Sequence, residues 1–147
     1  MRVVITGANG QLGKALQEVL QAHYLFLVDL PEYDVTDPQI VGTIAEFQPD
    51  LVVHAAAMTD VDGCERDPDL AFRVNEVGTR NVAEACRLCG AALVYVSTDY
   101  VFDGTKGEPY LESDEPNPLC VYGRSKLAGE LAVRALLSCY YIARTAW

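Results

Sequence analysis

Positive charge is scarce in this chain: 11 Lys and Arg residues stand against 21 Asp and Glu, a formal net charge of −10 at pH 7. Binding a phosphate backbone needs clustered cations, so nucleic acid is excluded as a general partner. An anionic cofactor is not excluded, because backbone amides at a helix N-terminus act at short range whatever the total charge. Long apolar runs are also missing. None reaches the roughly 20 residues that span a bilayer, and Val3-Val4-Ile5 leads straight into a glycine turn instead of a leader-peptide cleavage region. A cytoplasmic protein without membrane association is therefore expected. The 5 cysteines show no framework spacing and fit free thiols in a reducing compartment. Cys86 and Cys89 form a CxxC pair, but no second Cys/His pair accompanies it. On a helix both would face inward as buried structural thiols, so no metal site is expected.

What the chain has is half of its 147 residues apolar, enough for one core, and residues 1–147 read as a single domain. Arg2 to Thr6, Tyr24 to Val28, Leu51 to Ala55, Ala92 to Ser97 and Tyr140 to Arg144 are short, almost continuously hydrophobic runs. Runs of that kind predict parallel strands covered on both faces. Between the first two, Leu12, Ala15, Leu16, Val19 and Leu20 recur at helical spacing, and Asp37-Pro38 and Asp67-Pro68 each place a capping carboxylate before a first-turn proline. A further helix carries Ala71, Val74, Gly78, Val82, Ala85 and Cys89 on one stripe, predicts a close crossing of the sheet at Gly78, and ends at Gly90. Asp103 to Pro118 is the one long irregular stretch. The alternation implies an α/β fold with a doubly wound parallel sheet of Rossmann type, and ligands beyond the carboxyl ends of the strands. A complete sheet of this type would continue past the fifth strand, so the chain is expected to be a fragment, with an exposed sheet edge that favours self-association.

Gly7, Gly10 and Gly13 form a GxxGxxG turn between the first strand and the first helix, where backbone can approach a pyrophosphate. Asp29, some 20 residues on, ends the second strand and can accept hydrogen bonds from an adenosine ribose. Leu30-Pro31 offers no cation for a 2′-phosphate, which favours NADH, and Asp34-Val35 fall where the adenine edge would lie. Tyr122 and Lys126 stand four apart at a helix start, phenol and ammonium on one face. A phenol of ordinary pKa about 10 could serve in ketone reduction near neutrality if adjacent positive charge made it more acidic. Thr98 at the end of the fourth strand can hydrogen-bond a substrate carbonyl; Ser97 could as well, but alternation lets only one face the site, and Thr98 is preferred. His54-Ala55-Ala56-Ala57 closes the third strand with small residues suited to cofactor contact, and His54 reads as a packed histidine. Asn75, an unfavourable mid-helix residue, reads as a structural or relay group near the site.

The glycine turn, the Ala triplet, Ser97-Thr98-Asp99-Tyr100-Val101-Phe102-Asp103-Gly104 and Tyr122-Gly123-Arg124-Ser125-Lys126-Leu127-Ala128-Gly129-Glu130 occur in that order. On these motifs the chain resembles the N-terminal portion of the dTDP-4-dehydrorhamnose reductase family, extended short-chain dehydrogenases/reductases. The resemblance implies reduction of the 4-keto group of dTDP-4-dehydro-L-rhamnose by NADPH or NADH. It makes Thr98, Tyr122 and Lys126 the catalytic residues. Taken with the residues read above, it assigns the cofactor to Gly7, Asn9, Gly10, Gln11, Leu12, Gly13, Asp29, Asp34, Val35, Ala55, Ala56, Ala57 and Thr59 together with Tyr122 and Lys126. The sugar would meet Thr98, Tyr100, Val101, Phe102 and Trp147. Relatives of this kind are about twice as long, and a homodimer is among the implied assemblies. His54, Met58 and Cys120 depart from the Asn, Tyr and Asn usual in the family, and Met58 and Cys120 would border the sugar pocket. Two other functions stay open: a non-catalytic regulatory role like that of the methionine adenosyltransferase regulatory subunit, which shares a DYVFDG stretch, and another sugar-nucleotide reductase or epimerase.

Overall fold

β-branched and aromatic residues concentrate in five short runs, and in the computed structural model, which describes residues 1–146, each run is a strand. These are β1 (Arg2–Thr6), β2 (Tyr24–Val28), β3 (Leu51–His54), β4 (Ala92–Thr98) and β5 (Tyr140–Thr145). They form one parallel sheet in the order β2-β1-β3-β4-β5. The winding reverses between β1 and β3, and there the carboxyl ends of the strands open a crevice. β3 stops at His54, one residue short of the sequence-based bound. Ala55 keeps a bond to Thr6 O at 3.2 Å, but pairing with β4 ends at His54.

Helices cover both faces, as the continuous apolar strands require. Val3, Ile5 and Val53 point toward Leu16 of α1 (Gln11–Val19) and toward Leu20 just beyond it. On the opposite face Val4, Val52, Leu93 and Tyr95 meet α2 (Gln39–Glu46) through Ile40 and Ile44. Asp37 accepts from the Gln39 amide at 2.9 Å, and α2 begins at Gln39 with Pro38 at the cap position, one residue later than the sequence placed it. Two short helices, α3 (Val61–Arg66) and α4 (Pro68–Phe72), follow β3, and Asp67 caps α4 by accepting from the Leu70 amide. A π-helical turn, Arg73–Gly78, joins α4 to α5 (Thr79–Cys89), so the expected long helix exists but is underwound at its centre. Gly90 ends it in the left-handed conformation, φ 75°. Gly78 is a close approach, but not to the sheet: a Cβ there would meet Val35 Cγ2 at 2.9 Å, in the segment after β2. The stripe lies over that segment because the π-turn shifts it. Cys86 is fully buried, Cys89 is half-buried, and all five cysteines are free, in line with structural thiols.

α6 (Val121–Leu136) packs beside α5 and delivers the Tyr122 segment to the end of β4. Its glycine at 129 is a packing necessity, since a Cβ would overlap the Tyr95 hydroxyl and the Asn75 carbonyl. Between a 3-10 turn (Asp99–Val101) and α6 the chain is irregular but tied down. Asp103 accepts from Thr105, Tyr110 and Asn117, and Lys106 pairs with Asp114 at 2.6 Å.

Candidate active site

The crevice at the carboxyl ends of β1 and β3 is a cleft of ≈ 800 Å³. Its floor is the glycine turn. Gly7 has φ 69°, and a Cβ there would lie 2.7 Å from the Ala56 amide nitrogen, so two backbones touch where a side chain would fit neither space nor conformation. No side chain caps α1, and Gln11, Leu12 and Gly13 of its first turn line the cleft. Uncapped first-turn amides next to backbone that only glycine permits are the donor set that a dinucleotide pyrophosphate needs. Asp29 reaches back to this turn: Oδ2 accepts from the Asn9 amide at 2.7 Å and Oδ1 from the Leu30 amide at 2.8 Å. Its carboxylate thus braces the loop while keeping lone pairs toward the cleft. Among the described residues that line the cleft, Lys126 is the one cation.

Across the cleft stands the end of β4 with the first turns of α6. Cys120 opens the helix, its Sγ accepting from the Gly123 amide at 3.4 Å. Two residues later the half-buried Tyr122 ring lies edge-on to Tyr100, centroids 5.6 Å apart. Burial pushes the Tyr122 phenol above its ordinary pKa, and its hydrogen bond with Thr98 works the other way. Lys126, one turn on, is buried; its Nζ donates to Val96 O at 2.8 Å and sits 4.3 Å from the centre of the Tyr95 ring. Burial lowers its pKa to about 7, against the attraction of Glu130. The expectation that this ammonium keeps the phenol acidic is therefore corrected. The charge is directed at a carbonyl and a ring, and desolvation dominates at Tyr122.

Strand alternation divides Ser97 from Thr98 by partner more than by exposure, since both border the cleft. Ser97 Oγ donates to Glu130 Oε1 at 2.7 Å, whereas Thr98 Oγ1 donates to Asp99 Oδ1 and accepts from the Tyr100 amide, each at 3.2 Å, and stands beside the Tyr122 phenol. Glu130 also takes two bonds from Arg144, at 2.9 and 2.7 Å, and one from Arg134 at 3.3 Å. The sequence reading missed Glu130, although it lies four residues past Lys126 on the same helical face, a spacing that could have singled it out. Asn75 bridges elements as anticipated: Oδ1 accepts from the Met58 amide at 2.9 Å, and Nδ2 donates to Met58 O at 3.0 Å and Ser125 Oγ at 2.9 Å.

The cleft brings together Gly7, Asn9, Gly10, Gln11, Leu12, Gly13, Asp29, Asp34, Val35, Ala55, Ala56, Ala57, Thr59, Thr98, Tyr100, Tyr122 and Lys126. Two residues expected near the sugar lie elsewhere. Val101 is fully buried, turned inward by the 3-10 turn. Phe102 stacks on Tyr110, centroids 4.1 Å apart, and borders a separate cavity of ≈ 380 Å³. Trp147 is outside the described residues. Tyr33, Val61, Val74 and Thr145 join the cleft without any local sequence signal, since tertiary packing alone puts them there.

The family model described as RmlD substrate binding domain matches residues 1–147. A dTDP-4-dehydrorhamnose reductase of Mycobacterium tuberculosis is 45% identical over 152 residues, covering 99% of this chain and 50% of the relative. The crystal structure of a dTDP-4-dehydrorhamnose reductase from Bacillus anthracis in complex with NADP superposes with a TM-score of 0.96 at 48% identity, covering 99% of this chain and 53% of that one. The Bordetella bronchiseptica enzyme WbmG in complex with NAD gives 0.87 at 28% identity, covering 98% and 52%. The chain thus spans about half the length of the relatives it matches.

Proposed function

The chain belongs to the RmlD substrate-binding-domain family, and from that premise we propose that it forms the cofactor-binding and proton-donating part of an NAD(P)H-dependent reductase of dTDP-keto sugars. The reaction best supported is reduction of the 4-keto group of dTDP-4-dehydro-L-rhamnose to dTDP-L-rhamnose. The reading is carried by one observation: Thr98, Tyr122 and Lys126 share a single cleft with the Gly7–Gly13 turn. Similarity to reductases bearing that substrate's name, one of them solved with NADP, supports it.

Gly7 through Gly13 and the first-turn amides of α1 would hold the pyrophosphate, Asp29 the adenosine ribose, and Ala55, Ala56, Ala57 and Thr59 the nicotinamide half. The reduced dinucleotide, NADPH or NADH, supplies the hydride for the carbonyl carbon. Tyr122 gives its phenolic proton to the carbonyl oxygen, which leaves the alcohol. A phenol whose pKa burial has raised holds that proton through the neutral range, which suits a donor. Thr98 orients the oxygen beside Tyr122, and Lys126 compensates the phenolate left behind once its ammonium swings from Val96 O. Titration of the 147-residue chain with NADH and NADPH, followed by oxidation assays with the dTDP-keto sugar, tests the proposal. Binding of either cofactor, lost when Gly7→Val fills the turn, is the expected result; no binding of either one overturns it.

A further inference from the structure

A line of buried and part-buried hydrogen bonds joins the strand end beside the glycine turn to the helix that carries Tyr122, and each donor in it is determined. At one end the Ala56 amide donates to Thr6 Oγ1 at 3.2 Å. Thr6 Oγ1 lies 2.6 Å from His54 Nδ1, and His54 Nε2 lies 3.0 Å from Thr79 Oγ1. Thr79 in turn donates its hydroxyl proton to the Asn75 carbonyl at 2.7 Å. Where the π-turn ends, the Thr79 amide bonds to Glu76 O while its hydroxyl takes the Asn75 carbonyl.

A hydroxyl has one proton. With that of Thr79 given to Asn75, Thr79 can only accept from the ring, so Nε2 carries the proton. Nδ1 is then bare and accepts from Thr6, which meets the Ala56 amide with a lone pair. From Asn75 the line continues through its side chain to Met58 and Ser125, and Ser125 Oγ donates to Tyr122 O at 2.8 Å. We infer that His54 is a positioning residue: fixed as the neutral Nε2–H tautomer, it ties the strand end that touches Gly7 to the turn that supports the Tyr122 helix.

The surroundings oppose a second proton on the ring. Thr6 from β1 and Thr79 from α5 take its two nitrogens, Tyr95 from β4 stacks on it with centroids 5.6 Å apart, and Lys126 from α6 is the facing charge. Burial first, and then Lys126, lower its pKa to about 3. A proton on Nδ1 would also leave the Thr6 hydroxyl without its acceptor.

The inference rests on the proposed cofactor role only for its consequence in binding, so the test has readouts with and without cofactor. Nitrogen-15 NMR of the intact chain, where His23 is the only other histidine, is expected to show His54 protonated at Nε2 alone and unchanged from pH 8 to pH 5. Amide exchange on His54→Phe, which keeps a ring but neither bond, is expected to rise about 10-fold at both Ala56 and Met58, with NADH binding weakened about 10-fold. His54→Asn, whose Oδ1 replaces Nδ1 as acceptor, keeps Ala56 protected and NADH binding within about 3-fold. A proton on Nδ1, or a folded His54→Phe chain with both amides protected as in the parent, overturns the inference. If His54→Phe does not fold, the tautomer and His54→Asn decide it. Failure of the parent chain to bind NADH would sink the proposed function instead, and the tautomer and exchange results would still stand or fall on their own.

Discussion

Tyr122 and Lys126 sit one turn apart, yet the same burial moves them in opposite directions, because desolvation favours the neutral form of each. The phenol keeps its proton and the amine tends to lose one. For Tyr122 the consequence is a poised donor, and Tyr122→Phe should lower turnover about 100-fold or more while leaving NADH affinity within about 3-fold. Equal losses in both would mean that the ring only packs. Lys126 titrates near 7 in the folded chain, against 10.5 ordinarily. Between those values the unfolded chain binds more protons, so stability rises with pH across that window, and below about 7 the full cost of a buried ammonium remains. Melting temperatures of the parent and of Lys126→Met, compared from pH 6 to 10, should show a difference that shifts steadily in favour of the parent. A constant difference would contradict the shift. The pair itself was legible in the sequence from its spacing. The direction of the ammonium was not, since its acceptor, Val96 O, lies 30 residues away in the chain.

Among the elements, α6 carries Tyr122 and Lys126 and has a weak start. Sulfur at Cys120 accepts from the Gly123 amide at 3.4 Å, a long and soft cap where an Asn oxygen would bind better. Cys120→Asn should stabilise the chain by about 0.5–1 kcal/mol in urea unfolding, and no change would show that the thiol already suffices. Gly129 gives the opposite test. Alanine raises helix propensity by up to about 1 kcal/mol, but here the added methyl meets Tyr95 and Asn75, so Gly129→Ala should destabilise by about 1–3 kcal/mol. A stabilised variant would place α6 farther from the π-turn. Strands, caps and the Gly90 stop were readable from periodicity and turn chemistry. The π-turn was not, because apolar residues at helical spacing carry no mark of a local change in winding, and so the placing of Gly78 against Val35 was hidden as well. The same kind of local geometry hid the 3-10 turn that buries Val101 and sends Phe102 to another cavity.

At the scale of the molecule, the order β2-β1-β3-β4-β5 puts its reversal beside the glycine turn, so fold and cleft share one cause. That much followed from strand count and the position of the turn. Cofactor preference is a property of the whole cleft. Its described lining has Asp29 and Asp34 on the side proposed for the adenosine and Lys126 as its cation beside Tyr122, with no cation near those two carboxylates to pair a 2′-phosphate. NADH should therefore bind more tightly than NADPH, on the order of tenfold for one missing charge-assisted hydrogen bond. Competition by calorimetry measures it, and tighter NADPH binding would require a cation from beyond these residues. Among the described residues β5 is the last strand of the sheet, and its Tyr141 is 66% exposed while Tyr140 and Ile142 pack with Val133 and Leu136 of α6.

The account turns on a nicotinamide lying beside Tyr122 while its pyrophosphate rests on the glycine turn. Intermolecular NOEs in the chain saturated with NADH measure this without depending on turnover. Cross-peaks between the Tyr122 ring protons and the nicotinamide C4 protons, with amide shifts at Gly10 to Gly13, are the predicted result. NADH bound with shifts at the glycine turn but no cross-peak to Tyr122, under conditions where other ring contacts are seen, would contradict it.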